Sequence, residues 1–228
     1  MTLDSATYSL GAISADSHIS ETEDCFRDID PAFEDKRPRA IFDEERGAIL
    51  EISDLDIKVP MGLICTAGRA PERFSDPVDW AELHPAGHDP KARLAIQDEE
   101  GISAEVLYPS LGMVLCNHPD INYKKACFDA YNRWLGAFCD TDSNRLIGIP
   151  ILSMRSPGEA TTELASAHAM GFRGVIISVK NRDCSFKIHF GSVESFFVDF
   201  NNMSLISTNF YGSPDHPRRA ETAERATW

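Results

Sequence analysis

Near its start the chain reads Asp16-Ser17-His18-Ile19-Ser20-Glu21, directly after the short apolar stretch Ile13 to Ala15. Residues two apart in a strand project from one face, so Asp16 and His18 would stand side by side at a strand end. A carboxylate and an imidazole placed together can hold a divalent transition metal. A second candidate is Ser185-Phe186-Lys187-Ile188-His189-Phe190-Gly191-Ser192. There Phe186, Ile188 and Phe190 would share one strand face and Lys187 and His189 the other. A histidine ending an apolar strand just before Gly-Ser fits a ligand at the C-terminal rim of a parallel sheet, where function collects on such folds. His84, His88, His118 and His168 sit in loops or at helix edges and read as structural or solvated. The sequence has no Gly-x-Ser-x-Gly elbow for a serine nucleophile, no Gly-x-Gly-x-x-Gly after a strand and no P-loop.

These residues need a scaffold, and the middle of the chain spells one out. Asp89-Pro90 caps and opens a helix that Gly101 stops. Ile102 to Pro109 is β-rich and ends on its proline. Pro119 to Cys139 carries Ala126, Ala130 and Trp134 along one helical stripe. Arg145 to Leu152 is an apolar run of strand length. Ser156-Pro157-Gly158-Glu159 has the form of a capping box and opens a helix with Ala160, Leu164 and Ala167 on one face. Gly171 ends that helix, and Phe172 to Val179 reads as the next strand. The order α-β-α-β-α-β, with strands apolar on both faces, predicts a parallel sheet covered by helices. Both a doubly wound sheet and a (β/α)8 barrel satisfy it. Residues 20–88 read as a long excursion after the first strand, with one or two short helices. Residues 214–228 read as a polar, disordered tail.

Composition narrows the function classes. Among 228 residues, 22 Lys and Arg face 36 Asp and Glu, a formal charge of −14. So acidic a chain repels phosphate backbones, which argues against sequence-independent nucleic-acid binding. No apolar run approaches the roughly 20 residues of a membrane span, and the N-terminus does not read as a signal peptide. The six cysteines form no C-x-x-C pair. They read as reduced, mostly buried thiols of a cytoplasmic protein.

Taken together, the motifs resemble those of the amidohydrolase-related (amidohydrolase 2) family, which includes the aminocarboxymuconate semialdehyde and resorcylate decarboxylases. The resemblance rests on Asp16-x-His18-x-x-Glu21, Asp89-Pro90-x-x-Arg93-Leu94, Asp98-x-x-Gly101 and Glu105-Val106-Leu107-Tyr108-Pro109-Ser110. It continues through Ala130-Tyr131-Asn132-x-Trp134-Leu135, Asn144-Arg145-Leu146 and Gly171-Phe172-Arg173-Gly174-Val175, in the family's order. What it implies is an α/β fold of the metal-dependent (β/α)8 TIM-barrel type, holding a divalent metal ion, zinc or manganese. Asp16 and His18 match the family's first-strand acid-x-His pair, and His189 its fifth-strand ligand. An acid at the position of Asp16 is seen in the decarboxylase branch, though not there alone. Gly212-Ser213-Pro214-Asp215-His216-Pro217 resembles, in scrambled order, the family's late Gly-Ser-Asp-x-Pro-His segment, which makes Asp215 or His216 the candidate catalytic group.

The chain also departs from the family pattern. Only about five residues separate Val179 from Ser185, against the dozen or more of a parallel crossover. About 39 residues follow His189, fewer than three further βα units require. The expectation is therefore a truncated member: a partial barrel over residues 1–213 followed by the tail. Its implied activity is hydrolysis or decarboxylation of a small carboxylated or carbonyl substrate. The alternative is a catalytically inactive remnant that keeps the fold or an oligomerisation surface, with a homodimer covering the open sheet edge.

Overall fold

The computed structural model describes residues 11–65, 67–74 and 76–178, together with the backbone of 194–199 and 204–209. Its first strand, β1 (Ala12–His18), lies beside β4 (Ile102–Tyr108), and β4 lies beside β5 (Leu146–Gly148), all parallel. Two residues later β6 (Ile151–Leu152) pairs in parallel with β7 (Ile176–Ser178). The expected single strand from Arg145 to Leu152 is thus split. Pro150 has no N–H to give a ladder, so the chain leaves β4 after Gly148 and joins β7 from Ile151. The join is tight: Ile149 N donates to the Leu107 carbonyl at 3.0 Å, and Ile176 N donates to that of Pro150 at 2.8 Å. Neighbouring parallel strands therefore follow one another in chain order within each sheet, β1-β4-β5 in one and β6-β7 in the other.

The helices sit where their caps dictate. α1 (Pro90–Glu100) is capped by the Asp89 carboxylate, which accepts from Lys91 N and Ala92 N. It ends on Gly101 at φ +70, a left-handed conformation that glycine adopts without strain. A short turn, α2 (Gly112–Leu115), precedes α3 (Ile121–Cys139), which is capped by Asp120 and so begins two residues after the expected Pro119. The reason is local. Asp120 accepts from Asn122 N and Tyr123 N, satisfying donors that the helix start leaves orphaned. α4 (Pro157–Ala169) opens on Ser156, which accepts from Glu159 N. The reciprocal half of the capping box is diverted, because Glu159 binds the Arg155 guanidinium through both carboxylate oxygens.

The core lies between the parallel strands and α3, where Leu107, Tyr131, Leu135, Leu146 and Phe138 are buried. Asn132 of α3 adds a polar tie, donating to the Ile151 carbonyl at 2.8 Å and accepting from Ile151 N at 2.9 Å.

Two stretches differ from the sequence expectation. Between β1 and α1 the described residues form six 3-10 turns and an antiparallel hairpin, β2 (Arg39–Asp43) with β3 (Gly47–Glu51), in place of one or two short helices. Asp43 closes the hairpin turn by accepting from Glu45 N and Arg46 N. Gly47, at φ +79, is needed there: a Cβ would lie 2.5 Å from the backbone of Val78. At the other end, Phe172 to Val175 approach as a loop, and the strand begins at Ile176, described over Ile176–Ser178. Among the described residues the parallel order ends at β7: β8 (Glu194–Asp199) runs antiparallel to β7, and β9 (Ser204–Asn209) runs antiparallel to β8. No helix among the described residues is long and apolar enough to cross a membrane.

Candidate metal centre

β1 reaches the end that carries Asp16 and His18 through an irregularity. Ser14 is in register with Glu105 and Ser17 with Leu107, so β1 carries one residue more than β4 between these pairs. Such a bulge re-aims side chains next to a site. Here it leaves Asp16 exposed and brings its Oδ1 to 3.3 Å from His18 Nε2. The two residues predicted to act together are together.

The other ring nitrogen is already committed. His18 Nδ1 lies 3.1 Å from the Pro109 carbonyl oxygen and 3.4 Å from Ser110 Oγ. The Ser110 hydroxyl donates to the Ile19 carbonyl at 2.7 Å, so its own proton is spent. A carbonyl can only accept, and Nδ1 therefore carries the proton. In the neutral ring this leaves the Nε2 lone pair facing the Asp16 carboxylate. Two acceptors so placed are stabilised by a cation, which is the donor set a divalent transition metal takes. Tyr108, in register with His18 on β4, stands with its ring centroid 5.9 Å from the imidazole. Burial and then the charge of Asp16 push its phenol above the ordinary range, so it stays a hydrogen-bond donor.

His189, Asp215 and His216 lie outside the described residues. Among the described residues there is no group of three or more His, Cys, Asp or Glu that could hold a metal ion. His118 is structural: its Nδ1 accepts from Asp120 N at 3.1 Å, and its Nε2 lies 2.8 Å from the Ser53 carbonyl. His84 caps the 3-10 turn at Pro85–Gly87 by accepting from Ala86 N. A cleft of about 570 Å³ is lined by His18, by Arg93 and Gln97 of α1, and by Cys65 and His84. The Cys65 thiol in that lining is held protonated by burial, at about 11. A thiolate nucleophile therefore has no support here.

An amidohydrolase from Mycobacterium avium subsp. paratuberculosis K-10 superposes on 74% of this chain with a TM-score of 0.55 and 24% identity. The chain shares that protein's fold. It spans about half of that protein's length, 49%. Two structures of 2,6-dihydroxybenzoate decarboxylase superpose less well. One, from Rhizobium, has a TM-score of 0.39 and 16% identity over 72% of this chain and 37% of its own. The other, complexed with 2,6-dihydroxybenzoate, has a TM-score of 0.36 and 17% identity over 73% and 37%. No model of a known protein family matches the sequence, and neither does any curated protein.

Within this amidohydrolase-like fold, motif residues to which the sequence assigned no role turn out to surround the end of β1. Arg93 of α1 donates from Nη1 to the carbonyls of His18 and Ala86, both at 3.0 Å, and from Nε to Glu105 at 2.7 Å. Glu105 also accepts from Gln97 at 2.7 Å and from Ser17 at 2.9 Å. Burial works against its ionisation, but the hydrogen bonds from Arg93, Gln97 and Ser17 and the charge of Arg93 outweigh that. Its carboxyl is held below the ordinary range. Glu21 is fully buried and accepts from Ser110 N, Leu111 N and Gly112 N. The signal available in the sequence was membership of the motifs themselves. No spacing rule could have linked Arg93 to Glu105 or Glu21 to Ser110.

Proposed function

We propose that the chain is a metal-dependent hydrolase or carboxy-lyase of the amidohydrolase superfamily, built on a partial (β/α)8 barrel. Its substrate is a small molecule with a carboxylate or carbonyl group. The observation that carries the reading is the orientation of His18, with Nδ1 bound to the Pro109 carbonyl and Nε2 turned toward Asp16. Asp16 and His18 would hold a divalent ion, zinc or manganese, with His189 as the third ligand and Asp215 as a later acid or base. Such an ion supplies Lewis acidity toward a carbonyl or carboxylate oxygen. The chain's own residues do the rest. Pro109 keeps the imidazole in the ligating tautomer, Arg93 fixes the backbone of His18, and Tyr108 offers a phenolic hydrogen bond to an anionic substrate group.

The test is the metal content of the dialysed full chain beside that of a double variant carrying His18→Ala and His189→Ala. The expected result is about one divalent ion per chain, absent from the double variant. A substrate screen for CO2 release and for ester or amide hydrolysis then separates the lyase from the hydrolase. Metal-free protein after exposure to zinc and manganese would overturn the reading in favour of the inactive remnant.

A further inference from the structure

The buried carboxylate of Glu21 takes no part in the chemistry just described, yet an ionised group with no exposure to water is costly unless its surroundings are built for it. The surroundings are backbone. Oε1 accepts from Ser110 N at 2.8 Å and Gly112 N at 2.9 Å, and Oε2 accepts from Leu111 N at 3.0 Å. Ser110 N and the Pro109 carbonyl belong to one peptide unit. In a trans peptide the N–H and the C=O point in opposite directions across a rigid plane. That plane is held on its N–H side by Glu21 and on its C=O side by His18 Nδ1, 3.1 Å away. Holding one side fixes the other. A carboxylate accepting from the N–H also polarises the peptide and strengthens its carbonyl as an acceptor. The loop has little room to tilt otherwise, since a Cβ on Gly112 would lie 2.7 Å from Ile151 Cδ1 and 2.8 Å from Pro109 Cβ.

We propose that Glu21 is a positioning residue that sets the tautomer of His18 through the Pro109–Ser110 peptide plane. With the carboxylate in place, the imidazole is the Nδ1–H form and Nε2 presents its lone pair. With a weaker acceptor at position 21, the plane tilts and the tautomer is no longer fixed. The link to metal binding rests on the reading of His18 as a ligand, whereas the tautomer itself does not.

The experiment uses the full, metal-free chain with 15N-labelled histidine at alkaline pH. Long-range 1H–15N correlation spectra identify the tautomer, and the His18 signals are those missing from His18→Gln. The expected result is a single Nδ1–H form in the wild type and a mixture containing the Nε2–H form in Glu21→Gln. The glutamine amide would turn its NH2 toward a backbone N–H and cannot bind all three donors. Cobalt(II) affinity should fall by about 10- to 100-fold in the same variant. A wild-type His18 found as Nε2–H overturns the proposal, and so does a folded Glu21→Gln that keeps the pure Nδ1–H form. If Glu21→Gln does not fold, Glu21→Asp carries the same test, because it keeps the charge but withdraws it by one methylene. A tautomer that responds to position 21 in a chain that takes up no cobalt would uphold the positioning role and sink the metal reading alone.

Discussion

Glu21, just beyond β1, is buried and receives three successive backbone N–H groups. Glu105, midway along β4, receives the guanidinium of Arg93, the amide of Gln97 and the hydroxyl of Ser17. Both carboxylates serve the same strand end, but by different means. Backbone donors have no rotamers, so a carboxylate that satisfies three in a row dictates the path of the loop that carries them. Side-chain donors can re-aim, so Glu105 sets how firmly α1 docks on the β1–β4 pair and less how the loop runs. Glu21 thus sets the geometry at the candidate metal pair, and Glu105 sets its support.

The largest effect is expected from Glu21→Ala. It leaves three buried N–H groups without a partner, each costing about 1–3 kcal/mol, partly offset by removing a buried charge. A loss of roughly 3–5 kcal/mol in denaturant unfolding is expected. Arg93→Ala should cost less, about 2–3 kcal/mol, because its pair with Glu105 is not fully closed to water and Gln97 and Ser17 still reach the carboxylate. Equal or reversed losses would show that the backbone clamp is not the stronger of the two.

pH separates the two carboxylates by sign. The Glu105 carboxyl is held below the ordinary range, which is about 4.3. Its contribution is therefore complete above that range and is lost as pH falls through its folded value. Glu21 runs the other way. Burial raises it, against the hydrogen bonds from Gly112, Leu111 and Ser110. The folded state therefore binds a proton more readily than the unfolded chain, and stability from Glu21 falls as pH rises from the ordinary range through its folded value. Unfolding free energies measured across that span should lose their acidic slope in Arg93→Met and their opposing slope in Glu21→Gln. The same slope lost in both variants would mean that the two groups titrate as one.

Much of the scaffold was legible because it is fixed by local chemistry. Asp89 and Gly101 bound α1, Ser156 opens α4, and the spacing of Asp16 and His18 anticipated their pairing even though a bulge delivers it. What was not legible is held over distance or by exceptions. Glu21 and Ser110 are 89 positions apart, and nothing in either neighbourhood announces the other. Pro150 was the visible mark that one apolar run would serve two sheets, but an apolar run alone does not show where a strand changes partner. The hairpin of β2 and β3 is joined by Glu44, Glu45 and Arg46, polar residues that resemble any solvated loop until Gly47 is seen wedged against Val78. The turns from 23 to 87 are each closed by a few short-range backbone bonds, too brief for periodicity to register.

The smallest expected effect refines the Glu105 side. Ser14 and Ser17 hydroxyls lie 2.7 Å apart, and Ser17 donates onward to Glu105 Oε1. The Ser17 bond crosses from the bulged strand to β4 and so measures how much the bulge itself is anchored. Ser17→Ala removes one of three donors to a carboxylate that keeps Arg93 and Gln97, and the small side chain fits the same strand position. A loss of about 1 kcal/mol in urea unfolding is expected, with the His18 tautomer unchanged because the peptide plane at Pro109 is held from the other side. A tautomer shift in Ser17→Ala without one in Glu21→Gln would invert the assignment, placing control of the imidazole in the strand and leaving Glu21 as a structural tie for its loop.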